Sequence, residues 1–211
     1  MPRTWSLKPT NSLRPEALPS RGTSMSNDPP TESKPPKPLY HAATDLYLWH
    51  QYQGQDTNDC AAYCVAIAAN ALLGRAQFDG AQVAREMEGR LHKIPGWATL
   101  PWGISAYLQS RQIPARLRWL TSIETLLLNL KENRTTIVVL GDLLQRWGHA
   151  KVLYGYEPSG PAPERGFYFV DPGYPREWAR PSHPLGVFWQ DQTQFKQQWN
   201  NLLRICVELR T

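Results

Sequence analysis

The chain lacks an apolar run long enough to cross a bilayer. Its nearest approach, Ala61 to Leu73, is short and contains Asn70, where a spanning helix needs about 20 residues. It also lacks the opening of a secreted protein: Met1-Pro2-Arg3-Thr4-Trp5 leads into polar, proline-rich sequence with no apolar segment of signal-peptide length. Cysteine is scarce, with only Cys60, Cys64 and Cys206. An odd count leaves one thiol outside any disulfide framework, so reduced thiols and a cytoplasmic location are expected. A strong charge of one sign is missing too. The net charge is +5, but much of it sits in residues 1–40, where Arg3, Lys8, Arg14, Arg21, Lys34 and Lys37 outnumber Glu16, Asp28 and Glu32. What remains is nearly neutral, which is no footprint for nucleic acid. There is no internal repeat.

What is present divides in two. Residues 1–45 read as a disordered tail, with Pro2, Pro9, Pro15, Pro19, Pro29, Pro30, Pro35, Pro36 and Pro38 among Ser, Thr and Lys. Such a segment buries too little surface to offset its ordering entropy. Residues 46–211 read as one packed domain within the 211-residue chain.

The domain opens with helical signals. Asn58 and Asp59 are N-cap types ahead of an alanine-rich stretch that ends at Leu73 before Gly74. Further helices are expected from Asp79 to Glu88, from Pro101 to about Gln112 and from a capping box at Thr121 and Glu124. Strand signals dominate the second half: Thr136 to Leu140, His149 to Tyr156, Gly166 to Val170 and Leu202 to Leu209. Helices followed by a mostly antiparallel sheet make an α+β fold.

Cys60 falls in the first turn of the first helix. There a thiol meets the positive end of the helix dipole and unpaired backbone amides, both of which favour the thiolate. Cys64 is one turn further on and reads as a buried neighbour; Cys206, in the last strand pattern, reads as core. A nucleophilic thiol needs a base and a group to orient that base. His149 stands at the mouth of a strand in Gly148-His149-Ala150-Lys151-Val152, and Asp171 ends the next in Phe169-Val170-Asp171-Pro172. If those strands pair as neighbours, the imidazole and carboxylate meet, and the carboxylate fixes the tautomer. Gln55, or else Gln53, lies just upstream of Cys60 and offers an amide to a developing oxyanion. The histidines His41, His50, His92, His149 and His183 show no paired spacing, so no metal is expected, and thiol hydrolysis by Cys60 and His149 calls for no organic cofactor.

Gln-x-x-x-Asp-Cys at a helix start, a second Cys four residues on, Gly-His-x-x-Val-x-x-Gly-Tyr and a strand ending in Asp-Pro together resemble the papain-like cysteine peptidases. The nearest branch is the bacteriocin-processing double-glycine leader peptidases and their stand-alone relatives. The resemblance covers about residues 46–211 and implies a papain-like fold, with Cys60 as nucleophile, His149 as base, Asp171 as orienter and Gln55 at the oxyanion hole. It implies a thiol hydrolase acting on a peptide or protein, often after Gly-Gly, with any transporter a separate partner. Two residues depart from the pattern: Ala61 follows the cysteine where the family has Gly, and Gly54 occupies the family's usual Gln position. Two other functions share the pattern. One is a silent papain-like domain that binds a partner, with Trp97, Trp102, Trp119, Trp147, Trp178 and Trp189 available to line a groove. The other is a transglutaminase-like acyltransferase.

Overall fold

In the computed structural model the described residues are 40–41, 45–54, 57–88, 92–94, 98–142, 144–145, 147–158, 165–175 and 186–210. The alanine-rich stretch forms helix α1, Cys60–Leu73, closed by Gly74 in the left-handed conformation at φ 64. Alanine's small side chain lets this helix be buried on nearly every side. Its one polar interior residue is fully used: Asn70 Oδ1 accepts from the Gln77 and Phe78 amides, both at 2.8 Å, and its Nδ2 donates to the Phe78 carbonyl. Helix α2, Gly80–Met87, is capped by Asp79, which accepts from the Gln82 amide at 2.8 Å. A Cβ at Gly80 would lie 2.4 Å from the Tyr63 ring, so only glycine lets α2 approach α1 this closely.

Helix α3 spans Pro101–Ser110 and α4 spans Ile123–Lys131. The cap of α4 is Ser122, whose Oγ accepts from the Thr125 amide at 3.2 Å. Thr121, the expected cap, is instead buried against Cys206, its hydroxyl 3.4 Å from Sγ. Helix α5 covers Gln192–Asn200.

The strands are β1 (Tyr40–His41), β2 (Ala115–Arg118), β3 (Thr136–Asp142), β4 (Trp147–Glu157), β5 (Gly166–Val170), β6 (Val187–Asp191) and β7 (Cys206–Leu209). They form one antiparallel sheet in the order β2-β7-β3-β4-β5-β6, with β1 paired to β4. Strand β1 falls inside the segment that reads as tail. Strands β2 and β6 have no counterpart in the sequence reading, and β7 is shorter than expected because residues 201–204 form turns.

Both faces of the sheet are covered. Ile137, Ala150, Val152, Val170 and Val207 pack with α1, α2 and α3 in one core; Val138, Leu140, Leu153, Phe167, Phe169 and Cys206 pack with α4 and α5 in another. Strands buried on both faces read as continuous apolar runs rather than alternating ones, which is the pattern of Thr136 to Leu140. The fold is therefore α+β as expected, and α1 lies against β4 so that its N-terminus meets the start of that strand.

Candidate active site

Cys60 is the first residue of α1, and its Sγ accepts from the Ala150 amide on β4 at 3.4 Å. His149 precedes Ala150, and its imidazole is hydrogen-bonded to the Cys60 thiol. The other side of the ring is taken: Nε2 lies 2.7 Å from Asp171 Oδ1. Strands β4 and β5 do pair antiparallel, with Val152 opposite Val170, and this register carries the residue just past β5 to the histidine side of β4. Cys60, His149 and Asp171 thus form one hydrogen-bonded series.

Asp171 is held from every direction. Its amide donates to the Gly186 carbonyl at 3.1 Å, and its own carbonyl accepts from His50 Nε2 at 3.0 Å. The Gly173 amide donates to Oδ1 at 2.8 Å, and Lys151 Nζ lies 3.2 Å from Oδ2. Gly186 has φ +78, and a Cβ there would stand 2.3 Å from the His50 ring.

The electrostatics follow from these contacts. Burial opposes the charged form of His149, but the charge and hydrogen bond of Asp171 outweigh it and lift the imidazole to about 10. Burial likewise opposes the Asp171 carboxylate, yet His149⁺ and Lys151⁺ hold its pKa well below the carboxylate range. For Cys60, burial raises the thiol pKa, while the His149 hydrogen bond and charge and the Ala150 amide pull it below the ordinary value. The other cysteines move the opposite way: burial pushes Cys64 well up and Cys206 up to about 11. One thiol of three is set up to ionise.

Asp59, the residue before Cys60, makes no side-chain cap. Its Oδ1 pairs instead with the buried Lys93 Nζ at 2.5 Å, which ties the segment ahead of α3 to the start of α1. Ala61 is buried in the core, so its methyl group points into the protein. Gln55 lies outside the described residues. Gln53 is tied to the loop that follows Asp171, its amide donating to the Pro172 carbonyl at 2.9 Å, and its side-chain Oε1 is buried without a hydrogen-bond partner among the described residues. Gln51 is structural, clipping the Phe78 carbonyl and the Gly80 amide.

Among the described residues no three His, Cys, Asp or Glu side chains are grouped to hold a metal ion, and no helix is long and apolar enough to cross a membrane. Trp102 and Trp119 are exposed; Trp97 and Trp178 lie outside the described residues, as does His183. The sequence reading missed His50, Gly186 and Lys151. Only Lys151 carried a signal: it is two residues from His149, hence on the same side of the strand, and is the one charge in an apolar run.

The fold is similar to that of papain-like cysteine peptidases of known structure. A protein named as a C39-like peptidase from Bacillus anthracis superimposes with a TM-score of 0.56 at 12% identity, over 82% of this chain and 98% of that one. More distant likenesses are to UfSP from C. elegans, with a TM-score of 0.47 at 12% identity over 88% of this chain and 35% of that one, and to the Pseudomonas avirulence protein AvrPphB, with a TM-score of 0.32 at 13% identity over 78% and 98%. No family model and no curated protein sequence matches the chain.

Proposed function

We propose that this chain is a cysteine peptidase: a thiol hydrolase that cleaves a peptide or related amide bond in a peptide or protein substrate. The observation that carries the reading is the series Cys60 to His149 to Asp171, in which the thiol pKa falls while that of the imidazole rises. Opposite shifts in two bonded groups favour proton transfer from thiol to imidazole, giving a thiolate–imidazolium pair.

The reaction then runs in two halves. The Cys60 thiolate attacks the scissile carbonyl carbon, the carbonyl oxygen takes up the negative charge, and the C–N bond breaks as His149 gives its proton to the leaving amine. A water next loses a proton to His149 while its oxygen attacks the thioester; the acid product departs and Cys60 is restored. The first amides of α1, which have no intrahelical acceptor, stabilise the oxyanion together with a glutamine side chain from the segment before Cys60. Asp171 keeps the proton on His149 Nε2, so that Nδ1 faces the thiol.

The test is Cys60→Ala and His149→Ala against wild type on a peptide mixture read by mass spectrometry. New termini that require both residues support the reading. Absence of cleavage, together with a Cys60 that titrates as an ordinary thiol, overturns it.

A further inference from the structure

Lys151 is almost wholly buried, an unusual place for an ammonium group unless its charge is used. It sits on β4 two residues beyond His149, one step from the Val152–Val170 pair, and so lies beside Asp171. Its Nζ is 3.2 Å from Asp171 Oδ2, 3.4 Å from Gln190 Oε1, and 4.3 Å and 5.6 Å from the centres of the Phe188 and Phe169 rings. Gln190 is in turn fixed by Gln198 on α5, Nε2 to Oε1 at 2.8 Å. The lysine is therefore oriented from β5, β6 and, through Gln190, α5, and its charge is directed at the carboxylate oxygen that His149 does not use.

We propose that Lys151 is a positioning residue of this site: its ammonium fixes Asp171 through Oδ2 and offsets the carboxylate's charge, so that the Cys60 thiolate forms in a neutral surrounding. This rests on the peptidase reading of Cys60 and His149. The charge count shows why the lysine is needed. Thiolate, imidazolium and carboxylate together carry one net negative charge in a partly dry site, and Asp171 by itself works against the thiolate. Lys151 brings the sum to zero. The titratable groups around it are Asp171 after β5, His149 on its own strand and, from α1, Cys60 and Cys64, the latter affected by both Asp171 and Lys151; β6 contributes the neutral Gln190, and His50 meets Asp171 only through the backbone carbonyl.

The experiment is the pH dependence of alkylation at each cysteine in full-length wild type, Lys151→Gln and Lys151→Arg, resolved by mass spectrometry. Removing a cation disfavours the thiolate and favours the imidazolium. In Lys151→Gln both the acid limb, where Cys60 ionises, and the alkaline limb, where His149 deprotonates, therefore move up by about one unit. Lys151→Arg stays on the wild-type profile. Since Lys151→Gln leaves Asp171 without its counter-charge, the comparison is repeated between Asp171→Asn and Asp171→Asn with Lys151→Met, where no carboxylate is stranded; both limbs rise again if the ammonium acts by charge. A lower rate at every pH with unmoved limbs in both comparisons makes Lys151 a packing residue and overturns the inference alone. A wild-type Cys60 with no reactivity on the acid side removes the peptidase reading, and this inference with it.

Discussion

The backbone carbonyl of Asp171 accepts a hydrogen bond from His50 Nε2 at 3.0 Å, and both residues are buried. The carboxylate that orients His149 is thus itself held by a second histidine 121 positions earlier in the chain, seated against Gly186. His50→Ala removes one of the two donors to that carbonyl, leaving the Tyr174 amide at 3.1 Å, and opens a hole beside the loop. The expected cost of the lost hydrogen bond is about 1 kcal/mol of stability, to which the hole adds, read as a lower denaturation midpoint. Misplacement of Asp171 is expected to lower kcat/KM by about a hundredfold. A wild-type kcat/KM in the folded variant counts against this support.

Gly186 carries the same logic on the other side of the His50 ring. Alanine there must adopt φ +78 and put a methyl carbon 2.3 Å from the imidazole. The backbone term alone is about 1–2 kcal/mol, and displacement of His50 adds to it. Gly186→Ala should therefore be less stable than His50→Ala with Gly186 retained, and the double variant should recover part of the loss because the clash is gone. Urea denaturation of the three proteins checks this non-additivity.

In the proposed mechanism, Asp171 and His149 together set the alkaline side of the activity profile. The imidazole is held at about 10 by the carboxylate. In Asp171→Ala that charge and hydrogen bond vanish while burial, which opposes imidazolium, remains. The alkaline limb of Cys60 alkylation then falls from about 10 to near or below the ordinary histidine value of about 6.5. Iodoacetamide kinetics against pH measure it directly; a limb that stays high assigns the shift to some other anion.

How much of this was legible in the sequence depends on the range of the interaction. Cys60, at a helix start, and His149 and Asp171, at strand ends, could be read because helix caps and apolar runs are local signals, and one assumption, that β4 and β5 pair, joined them. The two-layered burial of the sheet was harder: Ile137 and Val138 face different cores, yet both are simply apolar in sequence. His50 and Gly186 depend on contacts between distant segments, and nothing near them in sequence marks them; Lys151 stands out as a charge in an apolar run, but its pairing with Asp171 also depends on a distant segment. Strands β2 and β6 escaped notice for a related reason. Ala115–Arg118 carries two arginines and Val187–Asp191 two polar residues, as suits the outer strands of a sheet.

The same carboxylate makes the fold sensitive to acid. Asp171 has a folded-state pKa below the ordinary value, so its contribution is fully present above about pH 4 and is lost as the pH falls from there toward the folded value. His149 has the mirror behaviour. Its raised pKa stabilises the fold below about 6.5 and loses that effect as the pH rises through about 10. Thermal midpoints of wild type should decline on both sides of this range, and Asp171→Asn should flatten both declines. An unchanged acid slope in that variant would place the acid sensitivity in other carboxylates.

Gln53 and Gln55 offer the last separable role. Gln53 is tied through its amide to the Pro172 carbonyl, next to Asp171, and its side-chain oxygen is buried, so a shift of the Asp171 loop and a shift of Gln53 go together. An amide that stabilises the oxyanion acts only once the carbonyl is attacked and has no effect on the resting thiolate. Gln53→Ala is therefore expected to lower kcat by about a hundredfold or more while leaving the pH profile of Cys60 alkylation in place, whereas Gln55→Ala costs little. Reversal of the two variants moves the role to Gln55. A change in the alkylation profile with Gln53→Ala would instead mean that this residue supports the Asp171 loop rather than the oxyanion.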